Sequence, residues 1–105
     1  MAMTDISGHT RLYAVIGDPV SHSLSPRIMN SAFAATAVDA VYVALSVKEQ
    51  DAALAMEMIR RFGLAGVNVT MPLKQAIVPF LDQLSPTARQ VGAANCVVNN
   101  QGILT

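Results

Sequence analysis

Cysteine occurs once in the 105 residues, as Cys96. No internal disulfide and no cysteine-rich metal site can form, and the matching compartment is a reducing cytoplasm. Histidine occurs only as His9 and His22, too few to build a metal centre. Charged residues make up 13% of the chain, seven basic against seven acidic. With no basic stripe, nucleic acid and anionic membranes are excluded as natural partners. The longest apolar runs fall far short of a membrane span. The opening "MAMTDISGHT" lacks the charged-then-apolar pattern of an export signal. Neither G-x-G-x-x-G nor a glycine-rich lysine loop occurs, so these residues offer no visible place for a nucleotide. There is no repeat, low-complexity tract or linker, and the length suits one domain.

What is present is apolar: 52% of the residues are hydrophobic, which allows a sizeable core. So little charge beside so much hydrophobicity predicts apolar surface meant for another domain or a second subunit, a homodimer being one such arrangement. Residues 1–11 read as an N-terminal tail. "LYAVIG" (12–17) reads as a buried strand closed by glycine. A helix follows from Ser25, with Ser25 as N-cap, Pro26 at the first helical position and an apolar face of Ile28, Met29, Ala32, Phe33 and Ala37. "AVYVALSV" (40–47) is a second strand. Residues 48–62 form a second helix with a stripe of Leu54, Ala55, Met58, Ile59 and Phe62, and Gly63 stops it in left-handed backbone. "AGVNVTM" (65–71) is a third strand. Pro72 opens a short helix that Pro79 kinks or ends. "SPTARQVG" (85–92) repeats the Ser-Pro helix start, and "CVVNNQGILT" (96–105) reads as a hairpin turning at "NNQG". The order βαβαβααββ predicts an α/β fold in three layers, α/β/α, with a mainly parallel sheet.

Ligands in such sheets bind beyond the carboxyl ends of the strands. The loop "SHSLSP" (21–26) leaves the first strand there with more hydroxyls than a turn requires. Ser25 reads as a cap, yet a capping oxygen is an acceptor and leaves its hydrogen for a ligand. Ser23, too far from the helix to cap it, is open to a turn role or a ligand role. His22 reads as a solvated loop histidine. Thr70 and Lys74 follow the third strand. Lys74 falls early in a helix, where a cation is disfavoured by roughly 0.3–1 kcal/mol. That placement predicts a lowered pKa, suited to an anion anchor or a general base, against the plainer reading of a lysine extended into water. Asn95, in "GAANC", reads as a turn amide close to the same edge. Cys96 reads as the inert first residue of a buried strand, and Arg27, Arg60, Arg61 and Arg89 as helix-surface charges.

"VIGDPVSHSLSP", "GVNVTMPLK" and "VGAANCVV" occur in that order over nearly the whole of residues 12–105. Together they resemble the N-terminal, substrate-binding domain of the shikimate/quinate dehydrogenase family. The resemblance implies the substrate half of a two-domain enzyme that reduces 3-dehydroshikimate to shikimate with NADPH, in aromatic amino acid biosynthesis. It implies that Ser23 and Ser25 bind the substrate carboxylate, that Asn68 and Thr70 line the same pocket, that Lys74 is the catalytic lysine, and that Asn95 binds a ring hydroxyl. No metal is implied.

Two departures from the family pattern, Leu24 between the serines and Cys96 after Asn95, remove no ligand group. The family's catalytic aspartate lies in an N-T-D-G segment beyond Thr105, and its NADP-binding Rossmann domain follows. None of Asp18, Asp39, Asp51 or Asp82 matches that aspartate by motif. The expectation is therefore a substrate-binding domain, inactive alone and completed by a nucleotide-binding domain. A quinate or aminoshikimate dehydrogenase domain, and a stand-alone module that holds a small carboxylate, are the competing readings.

Overall fold

A computed structural model describes residues 5–105; the first part of the predicted tail, residues 1–4, lies outside the described residues. Within that tail the Thr10 hydroxyl donates to Asp39 Oδ1 at 2.7 Å, and Arg11, its predicted last residue, already opens the first strand. The elements are β1 (Arg11–Gly17), α1 (Ser25–Ala35), β2 (Ala40–Ser46), α2 (Ala52–Phe62), β3 (Gly66–Val69), α3 (Leu73–Ala76), α4 (Pro86–Val91), β4 (Cys96–Asn100) and β5 (Ile103–Leu104). Single 3₁₀ turns precede α2 and follow α3. The sheet runs β2-β1-β3-β4-β5. β1 pairs in parallel with both β2 and β3, while β4 and β5 join antiparallel as the expected hairpin. The sheet is thus mixed, and its parallel part is the three strands linked by crossover helices.

The alternation of β1 divides the core. Ala14 and Ile16 point to one face, where Val67, Val69 and Val97 join Met56 and Ile59 of α2 and Leu73 and Ile77 around α3. Val15 points to the other, beside Tyr42, with Tyr13, Met29 and Phe33 packed against them. Helices on both faces make the three layers. The Tyr13 and Phe33 rings lie 5.7 Å apart, tilted at 42°, which adds an aromatic contact to the seam under α1.

Both predicted helix stripes need correction. α1 buries no residue completely; Met29 and Phe33 face the sheet, while Ile28 is 62% exposed, Ala32 is exposed and Ala37 lies past the helix end at φ 56°. α2 buries Ala52, Met56 and Ile59, leaving Leu54 and Phe62 exposed. The helix carries two adjacent apolar stripes. The sheet takes the one containing Ala52, whose small side chain permits close approach. The other faces an apolar groove of about 290 Å³ against Leu45 and Val47. Gly63 ends α2 at φ 71°, as expected of a left-handed stop.

β2 is an edge strand, and such an edge is a template for unwanted pairing. One side chain blocks it. Asn30, on α1, donates from Nδ2 to the Tyr42 carbonyl at 2.8 Å and accepts from the Tyr42 N–H at 2.8 Å. Its carboxamide imitates the backbone of a further strand. At the far end, Asp82 Oδ2 accepts from Leu104 N–H at 2.8 Å and from Arg60 Nη2 at 3.0 Å. Asn99 ties the β4–β5 turn to the end of α2 through the Ile59 and Leu64 carbonyls.

Asn30→Ala removes two neutral hydrogen bonds and opens the edge, so urea unfolding is expected to show a loss of about 1–3 kcal/mol. Sedimentation should show concentration-dependent association of the variant. Unchanged stability and a monomer at all concentrations would contradict the blocking role.

Candidate functional site

The site begins where β1 ends. A Cβ on Gly17 would lie 2.3 Å from Thr70 Cγ2 and 2.8 Å from the Met71 carbonyl oxygen. Only glycine lets the β1–α1 loop pass this close to the segment leaving β3. The backbone laces the two together: Thr70 N–H donates to Ile16 O, and Asp18 N–H to Met71 O, each at 2.9 Å. The turn before β4 is tied in by Val69 N–H donating to Asn95 O at 2.9 Å and Ala94 N–H to Lys74 O at 2.8 Å. Three segments distant in sequence thus meet at one sheet edge, as the strand-end rule predicts.

Two cavities open there. One, of about 450 Å³, is lined by Ser23, Ser25, Asn68 and Thr70 over an apolar floor of Val15, Pro19, Val20 and Val69, with His22 also on its wall. The other, of about 390 Å³, holds Lys74, Asn95 and Cys96, with Ser85 and Thr87 from the start of α4. Asn68 and Cys96 are register partners across β3 and β4, so a single residue pair links the two cavities. Four of the six predicted site residues therefore share one cavity, and Lys74 and Asn95 share its neighbour.

The loop overturns the capping role predicted for Ser25 and gives Ser23 a turn role. α1 starts with Ser25 itself, Leu24 is already in helical backbone, and no side chain caps the helix through Ser25. Instead Ser23 Oγ accepts the Ser25 N–H at 3.2 Å, its own N–H donating to Val20 O at 3.0 Å. Ser23 thus serves the turn and does not cap the helix, and Val20–Ser23 folds back as that turn. Ser25, relieved of capping, lines the cavity beside Asn68 and Thr70. The second Ser-Pro start behaves as expected: Ser85 Oγ accepts Ala88 N–H at 3.1 Å as the N-cap of α4.

Lys74 and Cys96 also differ from expectation. α3 is a single turn, Leu73–Ala76, so Lys74 belongs to its last turn as much as its first. Four residues align too few peptide dipoles to support the macrodipole argument. The exposed side chain of Lys74 stands at the second cavity. Cys96 is exposed because it belongs to the outward row of β4, whereas Val97 is completely buried.

Composition alone does not single out Tyr42 among the strand formers of "AVYVALS". It is 3% exposed, and its hydroxyl donates to Asn68 Oδ1 at 2.6 Å. Burial raises its pKa above the ordinary tyrosine value, against the opposing effect of Ser25. The available signal was the alternation that points a tyrosine inward, since a buried phenol needs a partner.

Among the described residues no three His, Cys, Asp or Glu side chains gather as metal ligands. A dinucleotide does not fit the β1–α1 loop either. The loop has one glycine, and Thr70 and Met71 fill the space over it where a pyrophosphate would approach. No helix is long and apolar enough to cross a membrane among the described residues.

Comparison with known proteins bears on this site. The family model "Shikimate dehydrogenase substrate binding domain" matches residues 15–97. A Streptococcus thermophilus protein named shikimate dehydrogenase (NADP(+)) is 52% identical over 99 residues, covering 94% of this chain and 35% of that protein. The crystal structure of Listeria monocytogenes shikimate 5-dehydrogenase with shikimate and NAD superposes with a TM-score of 0.91 at 46% identity, covering 95% of this chain and 35% of that one. A 5-ketofructose reductase of Gluconobacter sp. superposes at 0.88 with 26% identity, covering 93% and 35%. The chain spans about 35% of the length of these relatives.

Gly17→Ala must push Thr70 and the Met71 backbone aside. Its expected cost is about 1–3 kcal/mol in chemical unfolding, as for other overpacked sites. Amide shifts at both Val20–Ser25 and Thr70–Leu73 should accompany it. Shifts confined to β1 would show that the two loops are not coupled through this contact.

Proposed function

Because the chain belongs to the family of shikimate dehydrogenase substrate-binding domains, we propose that it binds shikimate and 3-dehydroshikimate across the two linked cavities, as the substrate half of an NADP-dependent shikimate dehydrogenase. The carrying observation is that Ser23, Ser25, Asn68 and Thr70 line one cavity and Lys74 and Asn95 the adjoining one. In this reading the Ser23 and Ser25 hydroxyls donate to the carboxylate. Asn68 and Thr70 hold the ring beside it. Asn95 binds a ring hydroxyl, and Lys74 holds the proton at the reacting ring oxygen. The first cavity lies within the usual range for small-ligand pockets, roughly 300–1,000 Å³.

The hydride comes from NADPH, in keeping with the name of the Streptococcus thermophilus relative. Since the β1–α1 loop does not fit a dinucleotide, the nucleotide is assigned to a separate Rossmann-type domain. That domain corresponds to the part of the relatives outside the match, and residues 12–105 form the shikimate-binding domain. The enzyme works in the cytoplasm, where the single Cys96 stays reduced.

The test is shikimate titration of the protein, with quinate as comparison, followed by calorimetry and by amide shifts at Ser23, Thr70 and Asn95. Ser23→Ala is expected to weaken shikimate by about 1.5–3 kcal/mol, the range for a hydrogen bond to a charged group. Ser25→Ala should weaken it comparably without the loss of stability that a missing cap would bring. Normal binding by both variants would overturn the carboxylate assignment. In the two-domain enzyme, Lys74→Ala should lower kcat by about 10²–10⁴-fold with a smaller change in KM. A raised KM with unchanged kcat would make Lys74 a binding group only.

A further inference from the structure

Asn68 has an exposed side chain, and a primary amide can turn either its oxygen or its NH₂ group to a ligand. Which one faces outward decides whether the site reads acceptors or donors. Here the oxygen is taken from behind, by the Tyr42 hydroxyl at 2.6 Å. Tyr42 is itself held at three points. Its ring is buried under α1, and its backbone N–H and C=O are both engaged by Asn30 at 2.8 Å. A phenol can donate or accept, and here its hydroxyl stands as the donor to Asn68 Oδ1, from a ring whose position is fixed by burial and by Asn30.

We infer that Tyr42 is a positioning residue that fixes the Asn68 carboxamide with its NH₂ group toward the cavity, so that this wall accepts only ligands presenting an acceptor oxygen. Tyr42 does not reach the ligand; it acts through Asn68. The ligand class follows: a carboxylate, carbonyl or hydroxyl oxygen opposite Asn68 is favoured, and an ammonium group there is refused. As applied to shikimate, the inference rests on the proposed function. The arrangement of the amide itself does not.

The test combines a ligand-free arm with a binding arm. In ligand-free protein, the Asn68 side-chain ¹⁵N–H₂ pair is expected to be sharp and well dispersed. In Tyr42→Phe, which keeps the ring and removes the donor, the pair should broaden and move to the position of a solvent-exposed asparagine. An unchanged pair overturns the inference whether or not shikimate binds. In the binding arm, Tyr42→Phe should weaken shikimate about tenfold, the loss of roughly one oriented hydrogen bond. The same substitution in an Asn68→Ala background should have no further effect. Equal losses in both backgrounds would assign Tyr42 a packing role, or one exerted through Ser25, and overturn the inference. Should Tyr42→Phe not fold, Asn68→Asp provides the second variant. It keeps an acceptor for Tyr42 and replaces the NH₂ group by an oxygen, so it should abolish shikimate binding; binding equal to wild type overturns the inference. A wild-type protein that ignores shikimate refutes the substrate assignment and leaves the ¹⁵N arm to decide the role of Tyr42.

Discussion

The close contact between Gly17 and Thr70 is the constraint on which the site depends. β1 is the central strand of the parallel part, and both of its neighbours run beside it in the same direction. Their carboxyl ends therefore emerge together, and every chain segment leaving them competes for the same space. A missing Cβ at Gly17 resolves that competition by letting Thr70 lie against the β1 backbone. The hydrogen bonds of Thr70 with Ile16 and of Asp18 with Met71 then hold the segments at that spacing. The cavity lined by Ser23, Ser25, Asn68 and Thr70 is a consequence of the junction rather than an addition to it.

Asn30 and Tyr42 extend the same logic across the sheet. Asn30 guards the β2 edge, and the residue whose backbone it engages is the one whose hydroxyl reaches Asn68. A single set of side chains thus connects α1, the edge strand and the inner strand β3. α1 has no completely buried residue; Met29 and Phe33 pack against the sheet, and the two hydrogen bonds of Asn30 fix its position on it. Because Ser25 opens that helix, the seating of α1 also sets where a ligand hydroxyl stands. Stability at the edge and geometry in the cavity are coupled here through Tyr42.

The parts of the fold legible in the sequence were those decided by local chemistry. The strand at 12–17, the left-handed stop at Gly63, the hairpin at the end and the Ser85 cap each depend on a few adjacent residues. The convergence of Ser23, Thr70 and Asn95 on one edge followed from topology alone. What escaped depended on contacts distant in sequence. Two apolar stripes on α2 were both compatible with burial, and only the sheet distinguishes Ala52 and Met56 from Leu54 and Phe62. Ser25 does not cap its helix because Leu24 is already in helical backbone, and a turn from Val20 to Ser23 cannot be separated from an extended loop by composition. Tyr42 was hidden because a tyrosine in a strand is ordinary until its hydroxyl is seen to meet Asn68, 26 positions later.

The distribution of charge between the two cavities follows the chemistry proposed for them. The first cavity has hydroxyls and one amide, and apart from His22 no ionisable group lines it. The single charged side chain of the pair, Lys74, stands in the second. A carboxylate held by neutral donors keeps the same charge before and after reaction, so a fixed cation beside it would deepen substrate and transition state alike. Uniform binding of that kind lowers KM without raising kcat. A cation placed instead at the oxygen where charge develops acts on the barrier itself. Under the proposed function, the separation of Ser23 and Ser25 from Lys74 assigns orientation to neutral groups and reserves charge for the atom whose charge changes. In that reading the division also accounts for serines, rather than an arginine that would bind the anion more tightly, in the loop that faces the carboxylate.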